Sequence, residues 1–467
     1  RISWPRGKTL GGSSSINGLI YIRGQREDFD LWRQMGNAGW SYDDVLPYFR
    51  KSEDNEHGAD DFHGMGGPLG VSDLKTPHPL HDAFIAAGQE LGYPYNRDFN
   101  GASQEGVGPL QLTVKGRRRC STAVGYLRPV LNRPNLQVEV RALTHRVLLD
   151  GKRAVGIEYA QFGVKRIARA RREVLLCGGA INSPQILQLS GIGPGALLQE
   201  LGIEVLHDLP GVGENLQDHL GTRIIYRCKP GTVTMNEIYH NWARRMVAGA
   251  EWMLARRGPL MTGAAPIGLF VKTRPEVASP DVQYQFLAGS APKSGEPMHR
   301  FPGCTMVTIP CRPESRGWLR ITAPDPEKPP SMQPNYLSTQ TDWATMLAGV
   351  KIARAMFATK AMQPFIAGEE QPGPQATTDE ELMEHTRATA GTTFHQTSTC
   401  MMGPGPKAVV DVDLKVKGLE GLRVVDASIM PTVVSGNTNA TVIMIAEKAA
   451  DMILIEARTG ATQAHAA

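Results

Sequence analysis

The sequence predicts a mixed α/β (α+β) fold, and three observations indicate it. REVLLCGG (172–179) is a short apolar run that ends in glycines and leads into the helical pattern SPQILQLSG. LQVEVRALTHRVLLDGKRAVGIEYA (136–160) alternates apolar and polar residues around an Asp-Gly pair. Between about 221 and 393, strand patterns such as VQYQFL, CTMVTIP and GWLRITA alternate with helical ones such as DWATMLAGVKIARAMFA. This last region predicts an antiparallel sheet with helices on one face.

The first elements are predicted by their capping residues. In WSYDDVLPYFRKSE, Ser41 is a suitable N-cap with Asp44 three residues later, so a helix should follow. HPLHDAFIAAGQELG has helical apolar spacing from His78 and should end at Gly92.

Later elements follow from turn and breaker residues. Asp150-Gly151 predicts a β-hairpin. Ser183 and Pro184 suit the N-cap and first position of a helix. LRVVDAS predicts a short strand, and TNATVIMIAEKAADMIL (438–454) an amphipathic helix of about four turns. We expect the last ten residues, 458–467, to form a frayed tail.

Composition excludes several classes of protein. The 467 residues are 41% hydrophobic and 21% charged, with a formal net charge of +4 and no basic run of the kind that binds nucleic acid. No apolar stretch is long enough to predict a transmembrane helix. The six cysteines are scattered with no C-x-x-C pair, which argues against a disulfide framework or zinc site and favours a reducing compartment.

Four distant segments are rich in glycine and small polar residues: 7–30 (GKTLGGSSSINGLIYIRGQREDFD), 179–193 (GAINSPQILQLSGIG), 210–219 (PGVGENLQDH) and 394–451 (from FHQTSTCMMG through VVDASIMP to SGNTNATVIMIAEKAAD). Taken singly, each has an ordinary explanation. A diglycine loop is more often a turn than a cofactor site, and His395 alone would more often be a hydrogen-bonded structural histidine than a catalyst.

Together, and in this order, the four segments resemble the glucose–methanol–choline (GMC) oxidoreductases, flavoproteins that oxidise alcohols. The first segment matches one family signature, including Asn17, Tyr21 and Asp30, and the second matches another from Gly179 to Gly193. The resemblance covers essentially the whole chain. It is strongest to the branch of choline dehydrogenases and related bacterial FAD-dependent alcohol dehydrogenases.

The resemblance implies an FAD-binding Rossmann-like domain interleaved with a substrate domain of antiparallel sheet and helices. We predict FAD-binding segments at 1–45, 130–220 and 394–457, the last with the catalytic residues. A helical and extended insertion occupies 46–129, the substrate-binding domain 221–393 and the tail 458–467. The family's first βαβ unit, with its G-x-G-x-x-G turn, is missing from this sequence; GIGPGA and GVGENL do not open such a unit.

The resemblance also implies which residues contact FAD. In the family, the TLGGSSSING loop lies along the flavin, while residues before the last helix contact its ring and ribityl chain. The cofactor-binding residues expected here are Gly11, Gly12, Ser14, Asn17, Gly18, Asp426, Ala427, Thr438 and Asn439. Some relatives tether the flavin through a histidine. Ile16 stands at that position, so we expect non-covalent FAD. Met401 and Met402 should pack beneath it.

Alcohol oxidation requires a base for the hydroxyl proton, and histidine suits that task near neutral pH. The resemblance assigns this role to His395 and makes Asn437 its partner. Gln396 and Ser398 replace a proline and a glycine that are common in the family, so they are expected to reshape the pocket. For His57 and His63 we favour a turn and predict no metal site. The acidic run Glu53–Glu56 is interpreted as a solvated helix end.

The sequence therefore predicts a flavoenzyme that oxidises a primary alcohol and passes electrons to a quinone or another acceptor. An oxidase that uses oxygen, a hydroxynitrile lyase of the same fold and a catalytically silent scaffold stay open as alternatives. For the substrate pocket, Tyr284, Phe286 and Glu296 could suit choline, but Lys293 and Arg300 favour an uncharged alcohol. We expect a cytoplasmic location, with any membrane association through the electron acceptor.

Overall fold

The structure is a computed structural model. It describes residues 2–73, 76–256, 258–261, 263, 265–293 and 295–466. Within these ranges, the α-helices are α1 (Arg26–Gln34), α2 (Tyr42–Ser52), α3 (Pro79–Glu90), α4 (Gly179–Leu189), α5 (Gly195–Glu200), α6 (Met235–His240), α7 (Trp242–Ala255), α8 (Gln340–Ala358), α9 (Asp379–Thr389) and α10 (Asn439–Ala466).

The strands of the same part of the chain are short apart from those of the central sheet and one hairpin. They are β1 (Ile20–Tyr21), β2 (Glu53–Asn55), β3 (Leu69–Val71), β4 (Gly106–Pro109), β5 (Gln111–Leu112), β6 (Val114–Lys115), β7 (Arg118–Arg119), β8 (Ala142–Asp150), β9 (Arg153–Gln161), β10 (Val164–Arg169), β11 (Val174–Leu176), β12 (Ile192–Gly193), β13 (His207–Asp208), β14 (Leu220–Cys228), β15 (Ile267–Val271), β16 (Val282–Leu287), β17 (Gly303–Pro310), β18 (Trp318–Arg320), β19 (Ser331–Gln333), β20 (Ile366–Gln371), β21 (Gly391–Thr392) and β22 (Leu422–Val424).

Several predicted elements are confirmed. Ser41 and Asp44 form a capping box at the start of α2, and α3 ends two residues before Gly92. The predicted hairpin is β8–β9, in which Asp150 pairs with Arg153 across the turn. The C-terminal helix α10 is longer than predicted. Its backbone continues to Ala466 through the residues expected to fray, where several alanines favour helix.

The central sheet is antiparallel, in the order β20-β14-β17-β16-β15-β4, and β21 also pairs with β14. One face packs on α3, α8 and α9 through a buried apolar cluster. This confirms the predicted sheet with helices on one face for VQYQFL and CTMVTIP, whereas GWLRITA forms β18, which pairs with β19 outside the central sheet. Its edge strand β4 comes from the region predicted as an insertion.

The alternation of side chains along β16 corrects our reading of the substrate pocket. Tyr284 and Phe286 point to the helices: the Tyr284 hydroxyl donates to the Gly349 carbonyl at 2.8 Å, and Phe286 stacks on Phe84. Gln283 and Gln285 therefore project from the opposite face, because successive side chains on a strand alternate. Two aromatic residues expected at the pocket are thus part of the core.

The start of α4 also differs from the prediction. The helix begins at Gly179, so Ser183 and Pro184 lie inside it and Ser183 is not its N-cap. Proline has no N–H to bond the carbonyl four residues earlier. Here that carbonyl, of Ala180, accepts a hydrogen bond from the Thr399 hydroxyl at 2.7 Å. A distant segment therefore satisfies the group that the proline leaves free.

The acidic run at 53–56 is not a solvated helix end. Glu53 is fully buried in β2, where its carboxylate pairs with Arg23 at 2.8 Å and contacts His63 at 3.1 Å. His63 also contacts Asp98 at 2.9 Å. Although burial acts to lower it, these carboxylates raise the pKa of His63 to about 9. The interpretation was wrong because the burial of Glu53 depends on Arg23 and His63, which lie 30 and 10 residues away in the sequence.

Candidate active site

The four glycine-rich segments meet in the folded chain. The first and last are joined by Asp28, whose carboxylate accepts hydrogen bonds from the backbone N–H and hydroxyl of Ser435. Thr399 links the last segment to the second and third. Its hydroxyl donates to the Ala180 carbonyl, and its own carbonyl accepts from the Gly213 N–H at 2.8 Å. Strands β11 and β22 also pair in parallel. The arrangement forms one site through contacts between residues up to 407 positions apart.

Hydrogen bonds to Arg119 and Thr122 hold the loop that carries Gly11 and Gly12. Both glycines have positive φ angles, 86° and 53°, which favour glycine. The hydroxyl of Ser14 is used inside the protein, accepting from the Thr122 N–H at 3.0 Å. The Asn17 side chain and carbonyl accept from the guanidinium of Arg119, at 2.6 and 2.8 Å. No sequence motif indicated this arginine.

Asp426 organises the neighbouring turn. Its buried carboxylate accepts from the Gly179 N–H, the hydroxyls of Ser183 and Ser428, and the Ser428 N–H, at 2.5 to 2.9 Å. These four bonds hold the start of α4 against the end of β22. Ala427 follows it, half-buried. A direct contact of Asp426 and Ala427 with the ribityl chain stays a prediction.

His395 and Asn437 lie in contact, with 3.0 Å between the His395 Nε2 and the Asn437 Nδ2. The Asn437 Oδ1 faces the side-chain amides of Gln283 and Gln285 at 3.3 and 3.4 Å. Because those amides donate, the Asn437 amide presents its NH₂ group to His395. The pair predicted from sequence positions 42 residues apart is therefore assembled, with α10 beginning two residues after Asn437.

A second histidine, which the sequence did not single out, lies behind the first. The Nδ1 of His219 is 3.0 Å from the Nδ1 of His395, and the two rings are perpendicular. The other nitrogen of His219, Nε2, is 2.8 Å from the Cys311 carbonyl. His219 ends the third glycine-rich segment, PGVGENLQDH. That segment is one of the four family motifs, and its place in the motif was the sequence signal available for His219.

Burial keeps both histidines uncharged. It lowers the pKa of His219 to about 4. Burial also holds the pKa of His395 well below its usual value, and the nearby His219 and Arg6 add to the effect. A histidine that is neutral at ordinary pH has a free lone pair on one ring nitrogen. His395 is therefore in the protonation state that a base requires.

Polar groups around His395 fix its backbone. The buried carboxylate of Asp218 accepts from the His395 N–H at 2.8 Å and from the Gln396 amide at 3.1 Å. The side-chain oxygen of Gln396, Oε1, accepts a hydrogen bond from the guanidinium of Arg6. Gln396, which stands where the family commonly has proline, thus links a cation to a buried carboxylate.

The backbone around His395 is strained. Phe394 and Ser398 have φ angles of 67° and 76°, in the left-handed region that non-glycine residues rarely adopt. At the position of Ser398 the family commonly has glycine, which adopts this conformation without strain. The strain in this chain lies on both sides of the candidate base, where neighbouring contacts hold it.

One face of the sheet contributes polar groups on the side of Asn437. Arg223 of β14 lies opposite Val307 of β17, which lies opposite Gln285 of β16. Directly opposed residues share a face, so Arg223 projects on the same side as Gln285. Arg223 is half-buried; burial lowers its pKa, and the charge of Glu296 acts to raise it. Glu296, considered earlier for choline, is exposed, as are Lys293 and Arg300.

Other chemistry-bearing groups lie elsewhere. Met402 is buried in the core and Met401 is half-buried, with its sulfur 3.1 Å from the Asn215 amide. The six cysteines are free thiols. Ligand atoms of Glu56, His57 and Asp73 lie within 4.8 Å of one another at the surface, whereas His63 belongs to the buried ion network. No helix among the described residues has the length and apolar character to cross a membrane.

Comparison with known proteins identifies the class of this fold and site. Family models described as GMC oxidoreductase match residues 1–221 and 313–446. Mitochondrial choline dehydrogenase of Mus musculus is 46% identical over 452 residues, which are 96% of this chain and 76% of that protein. Oxygen-dependent choline dehydrogenase of Serratia proteamaculans is 46% identical over 458 residues, 97% of this chain and 82% of that protein.

Solved structures agree. Pyridoxine 4-oxidase from Mesorbium loti superposes with a TM-score of 0.86 at 29% identity, covering 96% of this chain and 84% of that one. An FAD-dependent oxidoreductase from Chaetomium thermophilum gives 0.89 at 25% identity, covering 97% and 87%. The class is that of FAD-dependent oxidoreductases. This chain belongs to the GMC oxidoreductase family, and its cofactor is FAD.

The residues present fit such a cofactor at the first loop. A Cβ atom built on Gly12 would meet nothing within 4 Å, so the backbone there borders open space. The residues that would hold FAD are Gly11, Gly12 and Gly18 through backbone groups, and Thr438 and Asn439 at the start of α10. The first turn of a helix has N–H groups without intrahelical partners. These contacts stay predictions.

We expect the flavin to be bound without a covalent link. Ile16 occupies the position of the tethering histidine and offers no nucleophile; its side chain is largely exposed. Acid precipitation of the flavin-loaded protein should therefore release all the flavin into solution, measured by its absorbance. Flavin fluorescence that stays with the protein band after denaturing electrophoresis would contradict this prediction.

Proposed function

We propose that this protein is an alcohol dehydrogenase that oxidises a primary alcohol to an aldehyde and passes electrons to a quinone or another acceptor. The observation that carries the proposal is the contact between the neutral His395 and Asn437, at 3.0 Å. FAD supplies the acceptor for the hydride that leaves the alcohol carbon. The protein must then supply a base and a hydrogen-bond donor for the alcohol oxygen.

His395 takes the role of base. Its Nε2 accepts the hydroxyl proton of an alcohol that displaces the Asn437 NH₂ group from this lone pair. Asn437 donates a hydrogen bond to the same oxygen as negative charge develops there, which stabilises the transition state. The amides of Gln283 and Gln285 orient Asn437 for this role, since both point to its Oδ1.

We further propose an uncharged alcohol as the substrate. A trimethylammonium group would be recognised by aromatic rings or a carboxylate. On this sheet face, Gln283 and Gln285 contribute amides that contact Asn437, and Arg223 contributes a cation. The Arg223 guanidinium repels a cationic substrate, and the exposed Glu296, whose charge acts on the same guanidinium, offsets part of that repulsion. This supports a neutral alcohol over choline, although relatives are named for choline.

An anaerobic panel of alcohols tests the proposal. Neutral primary alcohols, aliphatic and aromatic, should bleach the flavin absorbance of the loaded protein, and choline should do so at least about 10-fold more slowly, because one repulsive contact in a partly buried site is worth on the order of 1–2 kcal/mol. Absence of bleaching by any alcohol would support the lyase or scaffold alternative. Choline as the fastest substrate would overturn the assignment of a neutral alcohol.

Readmission of air after bleaching distinguishes the electron acceptor. Slow oxygen uptake, with rapid reoxidation by an added quinone, is the result expected for a dehydrogenase. Rapid oxygen uptake would instead establish an oxidase of the same fold.

A further inference from the structure

Hydrogen bonds around His219 determine where its single proton lies. Its Nε2 is 2.8 Å from the Cys311 carbonyl oxygen, which can only accept. A neutral imidazole carries one N–H, so in His219 that N–H is at Nε2. The Nδ1 of His219 is therefore an acceptor.

The position of the proton on His219 determines the position of the proton on His395. The two Nδ1 atoms are 3.0 Å apart, and since His219 accepts there, His395 must donate. The Thr393 hydroxyl agrees: it donates to the His219 carbonyl at 3.0 Å and offers a lone pair to the His395 Nδ1, also at 3.0 Å. His395 thus carries its proton on Nδ1, and the lone pair is on Nε2.

Contacts on the opposite side of the His395 ring independently indicate the same tautomer. Asn437 presents its NH₂ group to Nε2, because its Oδ1 is occupied by the amides of Gln283 and Gln285. A donor at Nε2 requires a lone pair there. Two hydrogen-bond series, one from the Cys311 carbonyl and one from β16, therefore specify the same tautomer.

We propose that His219 is a positioning residue for the oxidation: it holds His395 in the Nδ1–H tautomer and directs the Nε2 lone pair at the alcohol oxygen. This rests on the proposed role of His395 as the base. When Nε2 accepts the hydroxyl proton, His395 becomes an imidazolium whose Nδ1–H still donates to His219, now as a charge-assisted hydrogen bond. The transferred proton stays on Nε2, and His219 neither gains nor loses one.

A pair of substitutions separates this role from packing. His219→Asn keeps an acceptor near the position of Nδ1, whereas His219→Leu keeps bulk and removes the acceptor. With flavin-loaded protein and rapid mixing with an alcohol, His219→Leu should lower the flavin reduction rate constant about 10- to 100-fold, because the buried His395 Nδ1–H loses its nitrogen acceptor. His219→Asn should retain most of the wild-type reduction rate. Adding Thr393→Val to His219→Leu should deepen the loss of rate, because Thr393 is the remaining acceptor.

His385 provides a matched control. It is a half-buried histidine whose ring hydrogen-bonds the Arg223 carbonyl on β14 at 3.4 Å and the Thr389 hydroxyl at 3.1 Å, and neither partner contacts His395. His385→Leu should leave the reduction rate unchanged. Equal loss in His219→Leu and His219→Asn, or wild-type rates in a folded His219→Leu protein, would overturn the proposal.

A measurement that does not use turnover distinguishes failure of this inference from failure of the proposed function. In ¹⁵N-histidine-labelled protein, the His395 signals, assigned by their loss in His395→Ala, should show a protonated Nδ1 and an unprotonated Nε2. His219→Leu should broaden or reverse that pattern. A protonated Nε2 in the wild type would refute the tautomer even if alcohols are oxidised. The expected pattern without any alcohol oxidation would leave the tautomer standing and refute the proposed function.

Discussion

Replacing His395 by alanine is expected to lower the rate of flavin reduction by an alcohol about 10²–10⁴-fold, the usual share of general acid–base catalysis. This equals roughly 3–5 kcal/mol of transition-state stabilisation. Binding of FAD should survive, because the His395 side chain contacts His219, Thr393 and Asn437 and not the glycine loop at Gly11 and Gly12.

Asn437→Ala should cost less than His395→Ala, since it removes a hydrogen bond to the alcohol oxygen and leaves the proton acceptor in place. Rapid-mixing kinetics on folded, flavin-loaded variants measure both effects. His207→Ala is a suitable control: this histidine is half-buried, contacts the Lys417 carbonyl at 2.8 Å and should leave the rate unchanged. Wild-type rates in both His395→Ala and Asn437→Ala would show that the pair has no catalytic role. A loss of stability with normal rates in the folded fraction would indicate a structural histidine.

Replacing Arg23 by methionine is expected to lower the free energy of unfolding by about 3–5 kcal/mol, the cost of breaking a buried ion pair on one side. Arg23 is almost fully buried, and its guanidinium donates to the Glu53 carboxylate at 2.8 Å, to the Phe62 carbonyl at 2.7 Å and to the Tyr21 hydroxyl at 3.1 Å. Methionine fills similar volume but leaves these acceptors without their donor. Urea unfolding monitored by tryptophan fluorescence gives the change.

An exposed ion pair three residues further along provides the comparison. Arg26 contacts Asp43 at 2.9 Å, and both side chains are about half or more exposed. Arg26→Met should cost less than about 1 kcal/mol, as is usual for surface pairs. Similar losses in the two variants would mean that burial does not determine the strength of the Arg23 interaction.

Local patterns were sufficient for several elements and for the class of protein. The capping box at Ser41 and the Asp150-Gly151 turn depend on residues three or fewer positions apart, so the sequence predicts them well. The family motifs also include the residues that assemble the site, among them His395 and Asn437. The chemistry proposed for them follows from residue type and from order along the chain.

Errors arose where a distant segment decides the environment. Glu53 looks solvated within its acidic run, but Arg23 and His63 bury its charge. Ser183 looks like an N-cap, but the helix begins four residues earlier and Asp426 uses its hydroxyl. Tyr284 and Phe286 look like pocket residues, but the register of the sheet turns them to α3 and α8.

The sequence by itself determined the fold class, the family and its cofactor, since these depend on periodicity and on motifs that stay recognisable wherever the segments lie. Only the tertiary structure decided which residues surround the candidate base. His219 lies 176 positions from His395, and Gln283 lies 154 positions from Asn437. Hydrogen bonds over such separations, and the face on which each strand residue projects, depend on how segments pair, and no local pattern encodes that pairing.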